Sequence, residues 1–123
     1  MIDKLRLADK FAAIDEYWSP RIAAELNDSY VKLAKLQGEF LWHHHTEEDE
    51  LCLVVKGRLL MRLREDGQER ELVIEPGELV VIPRGVEHMP VAPQEVEVLL
   101  IEPKSTRNTG AVENERTRAD QWI

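Results

Sequence analysis

The sequence predicts an all-β fold, a barrel or sandwich of short strands with one helix at its N-terminus. Short runs rich in Val, Ile and Leu follow one another along most of the 123 residues, and turn-forming residues separate them. Only the N-terminal segment has helical spacing. The predicted strands are 21–26, 30–36, 39–45, 50–57, 58–64, 70–75, 78–83 and 96–102.

The N-terminal segment predicts a helix that packs on the core. Leu7, Phe11, Ile14 and Trp18 are spaced by four, three and four residues, which makes one apolar stripe along a helix. Pro20 ends this helix, because the residue before a proline avoids helical geometry. The helix therefore lies within residues 1–20.

Two turns divide the strands most clearly. Asp66-Gly67 stands between two alternating runs and is typical of a tight hairpin. Pro76-Gly77 fits a type II turn, since proline fixes the first central residue and glycine supplies the positive φ of the second. The strands between these turns are short enough for a small barrel.

The domain organisation is predicted to be simple. No internal repeat or flexible linker divides the chain, so we expect one domain over 1–123, with barrel strands in 21–102 and a polar tail in 103–123. The tail ends in the apolar pair Trp122-Ile123. It docks on its own barrel, docks on a partner subunit, or stays undocked; the sequence leaves these alternatives open.

Charge and composition exclude several classes of function. The formal net charge of −8 disfavours nucleic acid and anionic membrane surfaces as partners. No apolar run approaches the roughly 18 residues of a transmembrane helix, and the charged N-terminus does not resemble a secretory signal. Cys52 is the only cysteine, so no internal disulfide can form. We therefore expect a cytoplasmic protein.

Three consecutive histidines stand where a strand is predicted. Side chains alternate along a strand, so His43 and His45 project to one side and His44 to the other. Glu50 opens the next predicted strand, and its carboxylate would be costly to bury among apolar residues without compensation. A metal ion would compensate it. We assign no metal role to His44, which reads as solvated.

The fourth histidine completes a candidate metal site. His88 follows a sharp corner at Pro83 and Gly85 that can turn it back toward the barrel interior. Three imidazoles and one carboxylate suit a divalent transition metal such as Fe, Mn, Ni, Cu or Zn, and they leave positions free for water or substrate. Ordinary structural histidines are the alternative interpretation.

Two segments resemble the motifs of a known family, the cupin superfamily. Residues 38–57 read G-x4-H-x-H-x4-E-x6-G, which is similar to the first cupin motif, and residues 77–92 read G-x5-P-x-G-x2-H-x3-A, which is similar to the second. The resemblance implies a double-stranded β-helix, or jelly-roll barrel, that usually forms a homodimer. It also implies a metal inside the barrel near one mouth. By the resemblance its ligands are His43, His45, Glu50 and His88.

The chain departs from the family pattern at two positions. Four residues rather than the usual five separate Gly38 from His43, and we keep the frame that holds His43, His45 and Glu50 together. The second motif ends in Ala92, where the family often has Asn. That residue is not a metal ligand in the family, so the change weakens only the inference about substrate.

Three further groups are predicted near the site. Cys52 shares the face of Glu50, where it either lines the pocket or packs as a small buried hydrophobe. Glu102 is either a pocket residue that orients a ligating histidine or transfers a proton, or a surface carboxylate at a strand end. The acidic residues 47–49 read as a solvated rim; if they frame the mouth of the pocket, they disfavour anionic substrates.

The sequence leaves two classes of function open. One is a metal-dependent enzyme acting on a small organic molecule, with dioxygenase chemistry or isomerase and lyase chemistry both permitted by the resemblance. The other is a non-catalytic module that binds a metabolite or stores metal. An apolar pocket, which Val54, Met61, Leu63 and Val98 could supply, would suit the binding module.

Overall fold

The computed structural model describes residues 2–123 as seven strands and one short helix. The strands are β1 (Arg21–Leu26), β2 (Ser29–Glu39), β3 (Glu50–Lys56), β4 (Leu59–Glu65), β5 (Gln68–Ile74), β6 (Leu79–Ile82) and β7 (Glu87–Pro103). The all-β prediction with a short N-terminal helix is confirmed. β1 and β3 to β6 follow the predicted runs closely, whereas β2 is longer than the predicted run 30–36.

All strand pairs are antiparallel, and β7 joins the two halves of the sheet. The strand order is β1-β2-β7-β3-β6, and the β4-β5 hairpin attaches through β4 to β7. Residues 97–101 of β7 pair with β3, while residues 87–91 pair with β4. The 17 residues of β7 therefore run from one half of the sheet into the other, well beyond the predicted run 96–102.

Two turn predictions are confirmed and one is wrong. Asp66 and Gly67 both have positive φ, as the hairpin between β4 and β5 requires. Gly77 also has positive φ, and the Glu78 N–H donates to the Glu75 carbonyl across that turn. The break predicted between strands 30–36 and 39–45 is the wrong one, because Gly38 lies inside β2 at a bulge, where the register with β7 shifts.

The helix α1 (Leu7–Ala12) is shorter than the apolar stripe predicts. Ile14 and Trp18 are buried as expected, but both lie beyond the end of the helix. The chain leaves the helix because the next segment pairs with the sheet: the Trp18 N–H donates to the Lys35 carbonyl of β2 at 3.0 Å.

Two apolar clusters hold the fold together. The larger one fills the inside of the curved sheet with fully buried side chains such as Val54, Leu59 and Val98. The smaller one packs Phe11 and Ile14 of the N-terminal segment onto the outer face of β2. No helix in residues 2–123 is long and apolar enough to cross a membrane.

The C-terminal tail docks on its own barrel, which is one of the alternatives that the sequence left open. The Ile22 N–H of β1 donates to the Gln121 carbonyl at 2.7 Å, and the Ile123 N–H donates to the Ile22 carbonyl at 2.9 Å. Ile123 packs against the smaller cluster, and Lys10 of α1 donates to its carbonyl. The tail therefore closes over β1 and meets the helix.

Candidate metal centre

His43 and His88 face each other across two backbone hydrogen bonds. The His43 N–H donates to the His88 carbonyl at 3.0 Å, and the His88 N–H donates to the His43 carbonyl at 2.9 Å. His88 lies near the start of β7, whereas His43 lies in the loop after β2. The predicted strand 39–45 is therefore wrong, because the chain leaves β2 at Glu39 and returns to the sheet only for this single bridge.

The histidine loop is held from both sides. The His45 carbonyl accepts from the Gly85 N–H at 2.8 Å, which uses the corner that the sequence analysis noted. On the outer side, the His44 carbonyl accepts from the Ala111 N–H of the tail at 3.0 Å. Gly110 lies against the same carbonyl with a φ of +63°, and a Cβ there would overlap it. The tail thus fixes the backbone that carries His43 and His45.

Backbone carbonyls orient two of the three rings. The Nδ1 of His43 lies 2.9 Å from the Leu41 carbonyl, and the Nδ1 of His88 lies 2.9 Å from the Val86 carbonyl. A carbonyl can only accept, so each Nδ1 carries the proton and each Nε2 presents a lone pair. This is the tautomer in which a histidine can ligate a metal through Nε2.

Ring nitrogens of the three histidines converge, and three of these nitrogens lack a protein partner, so the site fits a metal ion. One ring nitrogen of each of His43, His45 and His88 lies within 4.8 Å of the other two. Both ring nitrogens of His45 and the Nε2 of His88 are buried without a hydrogen-bond partner. An unsatisfied buried polar group costs about 1–3 kcal/mol, which coordination to a metal would offset. Three histidines in this arrangement can hold a metal ion.

Burial keeps two of these imidazoles neutral. It lowers the pKa of His43 to about 4, and the positive charge that a protonated His88 would carry adds to the effect. Burial also lowers the pKa of His88. Because a protonated imidazole cannot ligate, both residues are ready to bind a cation at neutral pH.

A buried network of charged groups borders the histidines. The closest Glu50 oxygen lies 3.4 Å from the Nε2 of His45, and the carboxyls of Glu50 and Glu102 are hydrogen-bonded to each other. The Lys32 Nζ lies 3.0 Å from Glu102 and 3.4 Å from Asp120 of the tail. Lys32 is the main functional candidate that the sequence analysis missed. Lys32 shares the inward face of β2 with Ala34 and Leu36. A lysine that alternates with these apolar residues was the sequence signal that could have identified it.

The two carboxyls of this network differ in protonation. Burial by itself raises the pKa of Glu50, but the adjacent His45 ring and the Glu102 carboxyl outweigh it, so the pKa lies well below its usual range. Burial and the adjacent Glu50 charge raise the pKa of Glu102 well above its usual range, against the opposing effect of Lys32. Glu50 therefore carries the negative charge toward the histidines, and Glu102 carries the shared proton.

A cavity of about 60 Å³ lies beside the histidines. His43, His88, Glu50 and Glu102 form its polar end, and its other walls are mostly apolar. Of the two alternatives for Glu102, the buried pocket position is the observed one.

Other predicted pocket residues divide between wall and core. Cys52 lines the cavity, and burial raises the pKa of its thiol, so this sulfur stays protonated and is a poor nucleophile. Met61 and Val98 also line the cavity. Val54 and Leu63 belong to the core without lining this wall.

The acidic residues 47–49 do not border this cavity. Glu47 and Glu48 line a separate surface depression together with tail residues, and Asp49 accepts a hydrogen bond from the Arg84 N–H. They therefore do not form part of the cavity wall.

The cupin domain profile matches residues 29–102, which is more than half of the chain. The chain belongs to the cupin family. A solved cupin-2 domain protein from Shewanella frigidimarina is 41% identical, with a TM-score of 0.76 over 81% of this chain and 94% of that one. The match confirms the resemblance to cupins that the two sequence motifs indicated.

Relatives of this cupin include enzymes of stated activity. The uncharacterized protein YdbB of Bacillus subtilis is 37% identical over 53% of this chain and 55% of its own length. Acireductone dioxygenase of Pseudomonas savastanoi is 30% identical over 71% of this chain and 44% of its own length. The chain thus spans about half the length of these relatives. The tail residues 103–123 and the helix lie outside the family match.

Proposed function

We propose that this cupin binds a divalent transition metal through His43, His45, Glu50 and His88, and a small organic molecule beside it. One observation carries the proposal: buried imidazole nitrogens without protein partners converge at the polar end of a cavity. The donor set suits Fe, Mn, Ni, Cu or Zn. Glu50 is the fourth ligand because its charged carboxylate already lies next to His45.

The chain's own residues prepare this site for a cation. The rings of His43 and His88 are neutral and fixed by the carbonyls of Leu41 and Val86. Glu50 supplies one negative charge, and the Lys32–Glu102 pair behind it keeps that carboxylate in place. A bound metal would polarise oxygen atoms of a ligand or, if redox-active, support reaction with oxygen.

We propose dioxygenase chemistry on the small molecule as the activity to test first. The similarity to acireductone dioxygenase over 71% of this chain supports it, as does the presence of a second carboxyl, Glu102, on the cavity wall. The non-catalytic binding module is the second candidate, which the mostly apolar walls favour. Oxygen consumption by metal-loaded protein with candidate ligands decides between them: binding without turnover identifies a binding module.

Elemental analysis tests the metal site. We expect tag-free protein to hold close to one equivalent of a transition metal, and His45→Ala to lose it. The matched control is His44→Ala, because His44 is the adjacent residue and its ring does not join the cluster. Equal metal content in all three proteins, or none after metal is added to folded protein, would reject the site.

We further propose that the protein forms a homodimer through the outer face of β6, β3 and β7. Paired residues point to the same side of a sheet, and this face carries two rows without charged side chains. The rows are Val81–Leu51–Ile101–Val31 and Leu79–Leu53–Leu99–Leu33. The helix covers the end of the second row at Leu33, but Leu79 and Val81 are 56% and 51% exposed.

A second copy of the chain is the proposed occupant, because the resemblance to cupins implies a homodimer. Two copies with a net charge of −8 repel each other, and this uncharged face is where they can meet with the least repulsion. Light scattering should give twice the mass of the chain for the parent protein. Val81→Glu should give a monomer, whereas Val73→Glu, at a half-exposed valine of β5 outside the face, should stay dimeric. A monomeric parent at micromolar concentration would reject the dimer.

We propose a cytoplasmic location and a single functional unit over 1–123. The free, buried thiol of Cys52 supports the first point, since reducing compartments keep such thiols unpaired. The packing of helix and tail on one barrel supports the second. The acidic surface gives no reason to expect nucleic acid as a partner.

A further inference from the structure

One arginine of the C-terminal tail lacks a partner. The Arg116 guanidinium makes no ion pair within residues 2–123, and its Nη1 is buried without a hydrogen-bond partner. Every other arginine in this range lies 3.9 Å or less from a carboxylate oxygen. The chain has 24 acidic and 16 basic residues, so a shortage of carboxylates does not explain the exception. A buried donor of a charged group is costly to leave unpaired, so Arg116 is suited to bind an acceptor from outside the chain.

Arg116 lies at the mouth of the cavity beside the histidines. Apart from Glu50 at the polar end, the partly exposed residues that line this cavity are Pro20, Phe40 and Asn108, which therefore mark its mouth. The guanidinium carbon of Arg116 lies 5.6 Å from the centre of the Phe40 ring, in cation–π contact. A positive charge therefore stands beside the opening of the cavity.

The folded tail holds Arg116 in this position. The Arg116 carbonyl accepts from the Asn108 Nδ2 at 2.9 Å, and the Arg116 N–H donates to the Asn114 Oδ1 at 2.8 Å. Asn108 lines the cavity, and its Oδ1 accepts from the Arg118 N–H at 2.9 Å. The backbone of Arg116 is therefore tied to the cavity wall.

Phe40 connects the guanidinium to the proposed metal site. Its ring meets the His43 ring edge-on, with the two centroids 5.3 Å apart. Phe40 therefore contacts Arg116 and also an imidazole of the metal site. A molecule that lies along the Phe40 wall of the cavity can extend from the guanidinium toward the histidines.

The charges around the cavity favour an anionic group at its mouth. Glu50 places a negative charge at the polar end. Arg116 offers paired N–H donors in the planar geometry that a carboxylate matches. A phosphate also fits this geometry, but its second negative charge is disfavoured more strongly by a protein of net charge −8.

We infer that Arg116 binds a carboxylate of the ligand at the mouth of the cavity, while the rest of the ligand extends past Phe40 toward the histidines. The ligand class is an organic acid whose carboxylate lies away from the metal. This inference rests on the proposed function, because one cavity holds both ends of the ligand. Arg116 lies beyond the family match, which ends at residue 102, so this site belongs to the tail of this chain.

Thiols that differ only at their far end test the inference on zinc-loaded protein, because a thiolate binds Zn²⁺ through its sulfur. Calorimetry compares 3-mercaptopropionate, 4-mercaptobutyrate and 6-mercaptohexanoate, each with the carboxamide of the same length. We expect the carboxylate to bind about 10- to 100-fold tighter at the length that reaches Arg116. Arg116→Gln should abolish this preference. Arg58→Gln, which removes an exposed arginine paired with Glu75 away from the cavity, should keep it.

A second measurement needs no metal. Metal-free protein labelled with ¹⁵N is titrated with butyrate and with butyramide, and the Arg116 Nε–H signal is identified by its absence from Arg116→Gln. We expect this signal to shift with butyrate and to stay in place with butyramide.

The outcomes separate the two proposals. Protein that takes up no zinc rejects the metal site, and the NMR titration then decides the carboxylate site: equal responses to butyrate and butyramide reject it. Zinc-loaded protein that binds both members of every thiol pair equally, or that keeps the preference in Arg116→Gln, overturns the role of Arg116 and leaves the metal site standing. Tighter binding of a phosphonate of the same length would overturn the choice of a carboxylate.

Discussion

Replacing Gly110 by alanine should weaken metal binding, although Gly110 is not a ligand and lies outside the family match. Gly110 has a φ of +63°, and a Cβ there would overlap the backbone carbonyl of His44 and press on the ring of His43 at 3.3 Å. A carbonyl cannot rotate away as a side chain can. The histidine loop must therefore shift, and the ring nitrogens of His43 and His45 must shift with it.

The size of the effect can be worked out from two contributions. An alanine in left-handed geometry costs about 1–2 kcal/mol in strain. Overpacking against a fixed neighbour adds about 1–3 kcal/mol, so the free energy of unfolding should fall by about 2–5 kcal/mol in total. Changes that displace metal ligands from outside typically reduce metal affinity about 10- to 100-fold, and we expect a loss in this range.

Gly67→Ala is the matched control. Gly67 has a φ of +75°, but a Cβ there meets nothing within 4 Å, so this variant carries the strain without the overlap. Metal affinity is measured by competition with a fluorescent chelator, and stability by urea unfolding. Gly67→Ala should lose about 1–2 kcal/mol and bind metal as the parent does. Unchanged affinity in Gly110→Ala, or equal losses in both variants, would refute the claim that the tail positions the histidines.

Three further predictions follow from buried groups. The pKa of His43 is about 4 in the folded protein against 6.5 in the unfolded chain. As pH falls from 6.5 to 4, only the unfolded chain takes up a proton at His43. The free energy of unfolding of metal-free protein should therefore fall by about 1.4 kcal/mol per pH unit because of His43, and this loss should level off below pH 4. Urea midpoints against pH, compared with His43→Gln, measure that slope; identical slopes would contradict it. Lys32→Met should lower the unfolding free energy by about 3–5 kcal/mol because the buried Glu102–Glu50 pair loses its cation, and a loss under 1 kcal/mol by urea unfolding would count against the network. Phe11→Ala should cost about 3–5 kcal/mol in the same assay, and a much smaller value would mean that the helix hardly contributes to the core.

Local signals in the sequence predicted most of the strands. The hairpin at Asp66-Gly67 and the turn at Pro76-Gly77 contain residues that adopt positive φ readily. The geometry of each turn therefore depends on the turn residues themselves, which the sequence shows directly. Alternation along β3 put Glu50 and Cys52 on one face, and both line the cavity. The two motifs singled out His43, His45 and His88, and the ring nitrogens of these residues lie close together in the structure.

Features that depend on distant partners could not be predicted in this way. Lys32 lies near Glu102 because β2 pairs with β7 with Tyr30 opposite Glu102, and alternation within one strand does not give that register. The helix ends before the apolar stripe does, because the backbone of Trp18 bonds to β2 instead of continuing the helix. The docking of the tail on His44 depends on the conformation at Gly110, which its polar sequence does not indicate.

The most direct test of the account is anomalous diffraction from metal-loaded crystals, recorded above and below the absorption edge of the metal that elemental analysis finds. We expect one strong peak at bonding distance, about 2.0–2.3 Å, from the Nε2 atoms of His43, His45 and His88, with Glu50 as the adjacent carboxylate. A peak on other residues, or no peak in crystals of protein that carries stoichiometric metal, would contradict the central claim.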